Sequence, residues 1–341
     1  MKKILALTDY KDNFGSKHLD QPYRSGMDKG KLEQYFNSYG FQVTFSKFSE
    51  IDWQSESLKD NIVIYTSSED PKYFYKDFIE DIILALQLSN IQVVPSYQYL
   101  RANNNKVFME LLRNVELPNQ FCQLKTIQLG VLEDVKSHAK NIKYPVVIKA
   151  SRGALGSKIY LAKNENDLVK KIKKASKTFY IKDYLWDLGR SYKHKGYLKN
   201  SIYRKKFIIQ EFIPDLEKDW KVLIFGDRYF ILTRYNRKND FRASGSKTNY
   251  KAGTQSEYTY QILDFAKQVF EYLDIPHVSL DIAFDGQQYY LLEMQGIYFG
   301  TSTINMSDAY FVFENNQWIP KEINIDLEKI YTDSIINFLS K

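Results

Sequence analysis

The sequence is poor in the residues that build disulfides and zinc sites. Cys122 is the only cysteine among 341 residues, so no internal disulfide is expected, and the four histidines are too scattered to suggest bound zinc. No apolar run approaches the roughly 18 residues of a membrane-spanning helix, and the opening MKKILALTDY lacks the core of a signal peptide. These absences predict a protein of the reducing cytoplasm.

Linker-like segments rich in proline or in glycine and serine are also missing. The length of 341 residues predicts roughly two to three domains, and 44% hydrophobic residues suffice for substantial cores. Because composition marks no boundary, the domain division has to come from the order of motifs.

Positive charge is concentrated in one stretch. Residues 171–206 contain twelve Lys or Arg but only two acids, Asp183 and Asp187, interleaved with aromatic side chains. Three interpretations remain open: a solvated flap, which is favoured, a surface for an anionic substrate, or a stacking surface for single-stranded nucleic acid. The net charge of +7 itself is compatible with binding to nucleic acid, to an anionic membrane surface or to phosphorylated ligands.

Strand and helix patterns alternate through the first hundred residues. Short apolar strands are predicted at 4–8, 42–45, 61–67 and 91–95, with helical spacing at 27–38 and 73–88. This alternation predicts an α/β domain with a parallel sheet at residues 1–102. A polar loop after the first strand carries Gln21, Tyr23, Arg24 and Ser25; it is either an ordinary surface loop, which is slightly favoured, or a wall of a substrate pocket.

Two further units follow. Residues 103–206 begin with a helix at Lys106, capped by the preceding asparagines, and include strands at 146–150 and 159–162. Residues 207–341 contain strands at 207–212, 221–225 and 229–234, a helix at 256–273, a hairpin and a closing helix at 327–339.

The hairpin within residues 279–296 carries the most informative polar pattern. Asp281 lies on its first strand, and Glu293 and Gln295 lie on the second, after an Asp285-Gly286 turn. Because side chains alternate along strands, all three are expected on one face. Such oxygen ligands suit Mg²⁺ shared with nucleotide phosphates, although a solvated acidic hairpin gives the same pattern.

A small-residue loop follows the strand that ends near Lys149. Gly153 and Gly156 allow backbone amides to approach phosphate oxygens while the lysine supplies charge. The loop is not a Walker A motif, because its glycine spacing differs and a strand follows it. Taken alone, it is more often an ordinary hairpin.

The order of these motifs resembles the ATP-grasp superfamily, in particular its carboxylate-amine ligase branch, which includes ribosomal S6 glutamate ligase and glutathione synthetase. The resemblance covers about residues 103–300 and rests on Lys106, Lys149, the glycine loop, the QEFI segment, Lys221, Arg242, Asp281 and Glu293. It implies an α/β chain of the ATP-grasp fold, with an N-terminal parallel-sheet domain and two α+β subdomains that clamp ATP.

The resemblance also implies roles for individual residues. Lys106 and Lys149 would contact ATP phosphates beneath a loop that includes Ser151, Gly153, Gly156 and Ser157. The adenine would lie along Gln210, Glu211, Phe212 and Ile213, with main-chain groups of Glu211 and Ile213 reading its edge. Either Glu217 or Asp219 would hold the ribose.

Two cations match the family's catalytic positions. Lys221 occupies the place of an arginine that meets phosphate or substrate, and Arg242 that of an arginine directed at the transferred phosphoryl group. Asp281 and Glu293 match the metal ligands. Gln295 replaces the usual asparagine on a longer stem, so one or two Mg²⁺ ions are implied, with Mn²⁺ as a substitute.

The implied reaction is ATP-dependent formation of an amide from a carboxylate, such as an amino acid or a sugar acid, and an amine through an acyl phosphate. A phosphorylated or nucleotide-linked sugar acid would suit the basic flap. One alternative is a kinase of the same fold that phosphorylates a small molecule, and another is a basic nucleic-acid-binding protein, which the two acids disfavour. A homodimer is the default assembly for such an enzyme.

Overall fold

The computed structural model describes residues 2–15, 25–153, 158–236, 250–255, 258–324 and 326–341. The chain divides into two compact units. The discontinuous unit comprises Met1–Asn103 and Leu216–Lys341, and the continuous unit comprises Asn104–Asp215. Each has its own sheets and its own apolar core.

The discontinuous unit opens with the predicted parallel sheet. Its strands have the order β2-β1-β3-β4, and the helices follow them in alternation. Asp28 caps the first helix by accepting a hydrogen bond from the Lys31 amide. The elements are β1 (Lys2–Thr8), α1 (Lys29–Ser38), β2 (Phe41–Lys47), β3 (Asn61–Tyr65), α2 (Phe74–Leu88), β4 (Val93–Val94) and α3 (Tyr97–Ala102).

The continuous unit is built on a four-stranded antiparallel sheet of order β5-β8-β6-β7. Asn105 caps its first helix by accepting from the Phe108 amide, and that helix begins at Lys106 as predicted. The elements are α4 (Lys106–Glu116), β5 (Thr126–Leu129), α5 (Val135–His138), β6 (Val146–Ala150), β7 (Ile159–Ala162), α6 (Glu165–Ser176), α7 (Ile181–Lys193) and β8 (Phe207–Glu211). Ile148, Ile172 and Phe207 lie fully buried in its core.

The rest of the discontinuous unit is a larger antiparallel sheet. Six strands follow the order β13-β12-β9-β10-β14-β15, and β11 pairs with β10 from outside that path. The elements are β9 (Lys218–Phe225), β10 (Arg228–Tyr235), β11 (Tyr250–Ala252), α8 (Thr259–Tyr272), β12 (His277–Phe284), β13 (Tyr289–Gln295), α9 (Ser302–Met306), β14 (Tyr310–Glu314), β15 (Gln317–Lys321) and α10 (Leu327–Leu339).

The closing helix α10 returns to the N-terminal sheet. Tyr331 and Ile335 pack in one apolar cluster with Ile4 and Leu32, and buried Glu328 accepts a hydrogen bond from the Asp28 amide at 2.7 Å. The first and last parts of the chain therefore share a core, which explains why this unit is discontinuous.

Strand β8 lies in a different unit from the one in which the predicted domain division places it. The predicted division at residues 1–102, 103–206 and 207–341 groups it with the later strands. Here β8 pairs with β5 and β6 inside the continuous unit. Its sequence, FIIQE, is apolar enough for either sheet, and a strand's partners are set by distant residues. The three-domain division stays a prediction.

Candidate functional site

The acidic hairpin has the geometry expected from its sequence. Asp281 on β12 lies directly opposite Glu293 on β13, and Ser279 lies opposite Gln295. Asp281, Glu293 and Gln295 therefore share one face of the sheet, since side chains alternate along strands. At the connecting turn, Asp285 accepts from the amides of Gln287 and Gln288.

Two cations flank Asp281 on the neighbouring strands. Lys221 lies opposite Asp281 on β9, with its Nζ 3.3 Å from Oδ1. Arg234 on β10 reaches across, placing Nη2 2.9 Å from Asp281 Oδ2. Its Nε donates to Asp219 Oδ1 at 2.6 Å. Two carboxylates and two cations thus alternate across β9, β10 and β12, and we call these four residues the charge ladder.

Electrostatics in the charge ladder favour an ionised Asp281. Burial alone would raise its pKa, but the charges of Arg234 and Lys221 outweigh burial and hold the pKa below the usual range. For Asp219, burial raises the pKa by more than the charge of Arg234 lowers it, so the pKa of Asp219 is raised. Burial would lower the pKa of Arg234, yet the two carboxylates raise it, so the guanidinium keeps its proton.

Arg234 was not identified from sequence. It ends the predicted strand 229–234, and an arginine at the end of an apolar strand such as FILTR was the only available signal. Its side chain is 8% exposed, so it acts inside the sheet face rather than at the surface. Lys221 was identified from sequence, and its side chain donates a hydrogen bond to the Asp281 carboxylate.

The structure separates the two ribose candidates. Glu217 is exposed, whereas Asp219 is buried and bound to Arg234. A carboxylate that is already engaged in a buried ion pair is a poor acceptor for sugar hydroxyls, because binding them would disrupt that pair. Of the two, Glu217 has the accessibility that ligand binding requires.

In the continuous unit, the start of α4 is tied to the loop after β6. The Lys106 amide donates to the Ser151 carbonyl at 2.9 Å, and Ser151 Oγ donates to Asn105 Oδ1 at 3.0 Å. Lys149 lies on β6 two residues before Ser151. The structure therefore brings the predicted phosphate-contacting segments together within this unit.

The glycine loop is described only at its start. Gly153 has a φ of +154°, which L-residues rarely adopt, so its need for glycine is explained. Gly156 and Ser157 lie outside the described residues, and so does Arg242. Their proposed roles remain predictions from the sequence.

The predicted adenine segment follows the end of β8. Gln210 is 3% exposed, and its side-chain Nε2 has no hydrogen-bond partner within the part of the chain that the structure describes. A buried amide without a partner is costly, so this group is suited to a ligand that can accept from it. Glu211 is exposed, its amide donates to the Lys125 carbonyl, and Ile213 is buried. Phe212, between them, is half-buried.

Buried hydroxyls line the carboxyl edge of the parallel sheet. Thr66 follows β3 and its Oγ1 accepts from the Gly15 amide, while Ser67 Oγ is buried without a partner among the described residues. No sequence signal distinguished Ser67. Of the predicted loop residues, Ser25 is half-buried, and Gln21, Tyr23 and Arg24 lie outside the described residues.

The oxygen ligands fit magnesium better than a transition metal. Among the described residues, no group of three or more His, Cys, Asp and Glu side chains is placed to hold a metal ion. Asp281 and Glu293 instead provide two carboxylates, and Gln295 adds an amide oxygen. Mg²⁺ is typically bound by one or two carboxylates with the remaining positions filled by water and phosphate.

Comparison with known proteins supports this chemistry. Residues 102–309, more than half of the chain, match the family model described as the RimK-like ATP-grasp domain. No curated protein sequence matches the chain.

Similar solved structures cover nearly the whole chain. N5-carboxyaminoimidazole synthetase from Staphylococcus aureus has a TM-score of 0.54 at 9% identity, over 98% of this chain and 77% of that one. A RimK domain ATP-grasp protein from Sphaerobacter thermophilus has a TM-score of 0.50 at 10% identity, over 98% of this chain and 99% of that one. D-alanine–D-alanine ligase from Bacillus anthracis has a TM-score of 0.50 at 10% identity, over 100% of this chain and 98% of that one. At such identities the likeness establishes the fold, which is the one predicted from sequence.

Proposed function

The chain belongs to the RimK-like ATP-grasp family, whose members are ligases that use ATP to form carbon–nitrogen bonds, and we propose that it joins a carboxylate to an amine through an acyl phosphate. The observation that carries this proposal is the pairing of Asp281 with Glu293 beside Lys221 and Arg234. In a solvated acidic hairpin, the aspartate would face water rather than lie between two cations.

Asp281 and Glu293 would hold Mg²⁺, with the Gln295 amide oxygen as a third ligand. When bound, the ion supplies positive charge that offsets the charge developing on the transferred phosphoryl group. Ser279 adds support for a polar ligand here: its buried Oγ lies on the strand position opposite Gln295 and has no partner within the described ranges. The cations beside Asp281 keep it ionised, and binding of Mg²⁺ would require Lys221 to release Asp281 Oδ1.

The triphosphate would be bound by Lys106 and Lys149, with the Ser151–Gly153 turn supplying backbone amides. Gln210 and the residues after it would contact the adenine, and Glu217 the ribose hydroxyls. Arg242 would stabilise the transferred phosphoryl group, and Lys221 the phosphate or the acyl phosphate. These assignments rest on the family pattern, supported by the hydrogen bonds between α4 and the loop after β6.

The chemistry needs positioning rather than a protein nucleophile. A substrate carboxylate oxygen attacks the γ-phosphorus of ATP, forming a carbon–oxygen–phosphorus linkage as ADP leaves. The amine then attacks the carbonyl carbon, phosphate leaves, and the amine loses a proton. An amino acid or a sugar acid is the proposed class of carboxylate.

Hydroxylamine trapping tests this reaction. The purified protein is incubated with ATP, Mg²⁺, hydroxylamine and a panel of amino acids and sugar acids, while ADP release and hydroxamate are both measured. We expect hydroxamate to accumulate in step with ADP for the correct acid. ADP release without hydroxamate, in the presence of a phosphorylated product, would instead identify a kinase.

The same assay tests the acidic pair. Asp281→Asn should lower ADP release by about 10²-fold or more, because it weakens a charge contact to the reacting centre. Asp285→Asn is the matched control, since Asp285 lies in the turn of the same hairpin and is exposed. Equal activity of the two variants would contradict the assigned role of Asp281.

A further inference from the structure

Residues 177–206 form an arm on the continuous unit, inserted between α6 and β8. Two backbone hydrogen bonds close its base: the Thr178 amide donates to the Ile202 carbonyl at 2.8 Å, and the Lys205 amide donates to the Ser176 carbonyl at 3.1 Å. The chain therefore leaves the core and returns to it at adjacent points. Everything between these bonds is an excursion away from the sheet.

The helix of this arm has no buried face. None of the 13 residues of α7, all of which the structure describes, is buried. Large apolar side chains are instead presented to solvent, with Ile181 66%, Leu185 59%, Trp186 69% and Tyr192 96% exposed. A helix of this length is marginal in water unless it packs against something. The exposed apolar side chains of α7 are therefore suited to contact with another surface.

Both acids of the arm, Asp183 and Asp187, line a cleft on one side of α7, together with Arg190 and Arg204. Asp187 faces the returning segment, where it accepts from the Tyr197 hydroxyl at 2.6 Å and the Asn200 amide at 2.9 Å. The opposite side of α7 is a shallow groove whose walls combine cations with large apolar groups. It is lined by Lys182, Leu185, Trp186, Gly189, Arg190, Lys193 and His194. The outward side is thus both cationic and apolar.

The arm also accounts for the charge of the whole protein. It holds nine of the 48 Lys and Arg residues but only two of the 41 Asp and Glu residues. Its net charge of +7 equals that of the entire chain, so the remaining residues are neutral in sum. The arm is therefore the segment that carries the excess positive charge of the chain.

We propose that the arm docks on an anionic lipid bilayer, with α7 lying in the headgroup region. Cations beside exposed Trp, Leu and Ile are the composition of helices that lie in such an interface, where apolar side chains enter the acyl boundary and lysines contact headgroups. The attachment is peripheral, because none of the described helices is long and apolar enough to cross a membrane.

Other occupants fit this surface less well. Single-stranded nucleic acid would use the aromatic rings for stacking, but the aliphatic Ile181 and Leu185 offer no stacking surface. A second copy of the chain docking arm to arm would bring two net charges of +7 together. An anionic bilayer accommodates both the aliphatic side chains and the lysines.

Vesicle sedimentation tests the proposal independently of ligase activity. The full-length protein is mixed with vesicles of phosphatidylcholine alone or of equal parts phosphatidylcholine and phosphatidylglycerol, at low and high salt. We expect sedimentation only with phosphatidylglycerol and its loss at high salt, because salt screens the attraction. Trp186 should shift its fluorescence to shorter wavelength on binding, and Trp186→Phe should remove that shift.

Two variants locate the contact. Lys182→Glu with Lys193→Glu should weaken vesicle binding by at least about tenfold, because each basic residue contributes to attraction near the anionic surface. The matched control, Lys163→Glu with Lys170→Glu, makes the same charge change at exposed positions of this unit outside the arm. Leu185→Ser with Trp186→Ser tests the apolar part, and thermal unfolding should be unchanged in all three.

Several outcomes would overturn the proposal. These are equal binding to both kinds of vesicle, equal loss in the control variant, or tighter binding to a single-stranded oligonucleotide than to phosphatidylglycerol vesicles. A dimer that dissociates when Leu185 and Trp186 are changed, without vesicle binding by the wild type, would assign the arm to self-association instead. If a variant unfolds, the lipid and salt dependence of the unmodified protein decides the question.

Discussion

Arg234 binds two carboxylates at once, and it is the residue on which the charge ladder depends. It is almost fully buried and donates to Asp219 while lying against Asp281. Without it, Asp219 would be a buried carboxylate left with more distant cations. The structure therefore gives Arg234 a role in stability as well as in positioning a proposed metal ligand.

We predict that Arg234→Met destabilises the protein by about 3–5 kcal/mol, because removal of one partner leaves an uncompensated buried charge. Adding Asp219→Asn should restore part of this loss, since the charge that needed a partner is then gone. Urea unfolding of the two variants measures both effects. If Arg234→Met unfolds at the same urea concentration as the wild type, the buried ion pair does not contribute to the free energy of unfolding.

His277 gives a second prediction, about pH. Burial lowers its pKa to about 3, and its ring lies among Phe225, Phe299 and Tyr331. An unfolded histidine titrates near 6.5, so below that pH the unfolded state binds a proton that the folded state does not. Stability should therefore be complete above about pH 6.5 and decline as the pH falls toward 3.

By pH 5 the loss from this one group should reach about 2 kcal/mol. Urea unfolding of the wild type and of His277→Phe between pH 7.5 and 5 provides the measurement, because most carboxylates remain ionised in that range. His194→Gln serves as the control, since His194 is exposed. An identical pH dependence in the wild type and His277→Phe would rule out this histidine as the source.

Sequence reasoning reached the site residues that carry a local signature. Asp281, Glu293 and Gln295 were placed on one face from strand alternation alone, and the register confirms that arrangement. Arg234 and Ser67 were missed because their significance lies in burial and in partners on other strands, which a single sequence does not reveal. The choice between Glu217 and Asp219 likewise required knowing which of them is buried.

Some helices and strands with a buried apolar face were predicted with correct bounds, whereas α6, which also has one, was not predicted. Strands β6 and β7 and helix α10 match the predicted ranges at both ends. The β14–β15 hairpin was missed, although its turn residues Asn315 and Asn316 both have positive φ, which suits a two-residue hairpin loop. Helix α7 was also missed, since it lies in a charged segment and contacts no core.

Helix α10 should be essential to the N-terminal sheet. Ile335 is fully buried, whereas Asn337 on the same helix is exposed. We predict that Ile335→Ala destabilises the discontinuous unit by about 2–5 kcal/mol through lost burial and a cavity. Asn337→Ala should change stability by less than about 0.5 kcal/mol. Urea unfolding compares them, and similar effects would show that α10 does not contribute a specific core contact.

The division into two units makes a prediction about the whole chain. Each unit has its own apolar cluster, represented by Ile335 in the discontinuous unit and Ile148 in the continuous one. Calorimetry should therefore show two transitions. Ile335→Ala should lower only one midpoint and Ile148→Ala only the other. A single transition that both variants lower equally would show that the units unfold together.

The closed base of the arm has a consequence for how such a protein can be remodelled. Because the Thr178 amide and the Ile202 carbonyl are already hydrogen-bonded, the intervening residues can be replaced by a tight turn without moving α6 or β8. The shortened chain would lose five Lys or Arg and two Asp residues, a net +3 of the chain's +7, and would elute earlier from a cation-exchange column. Its solubility minimum would move toward neutral pH. Loss of these residues would therefore lower the isoelectric point while the enzyme's scaffold stays the same.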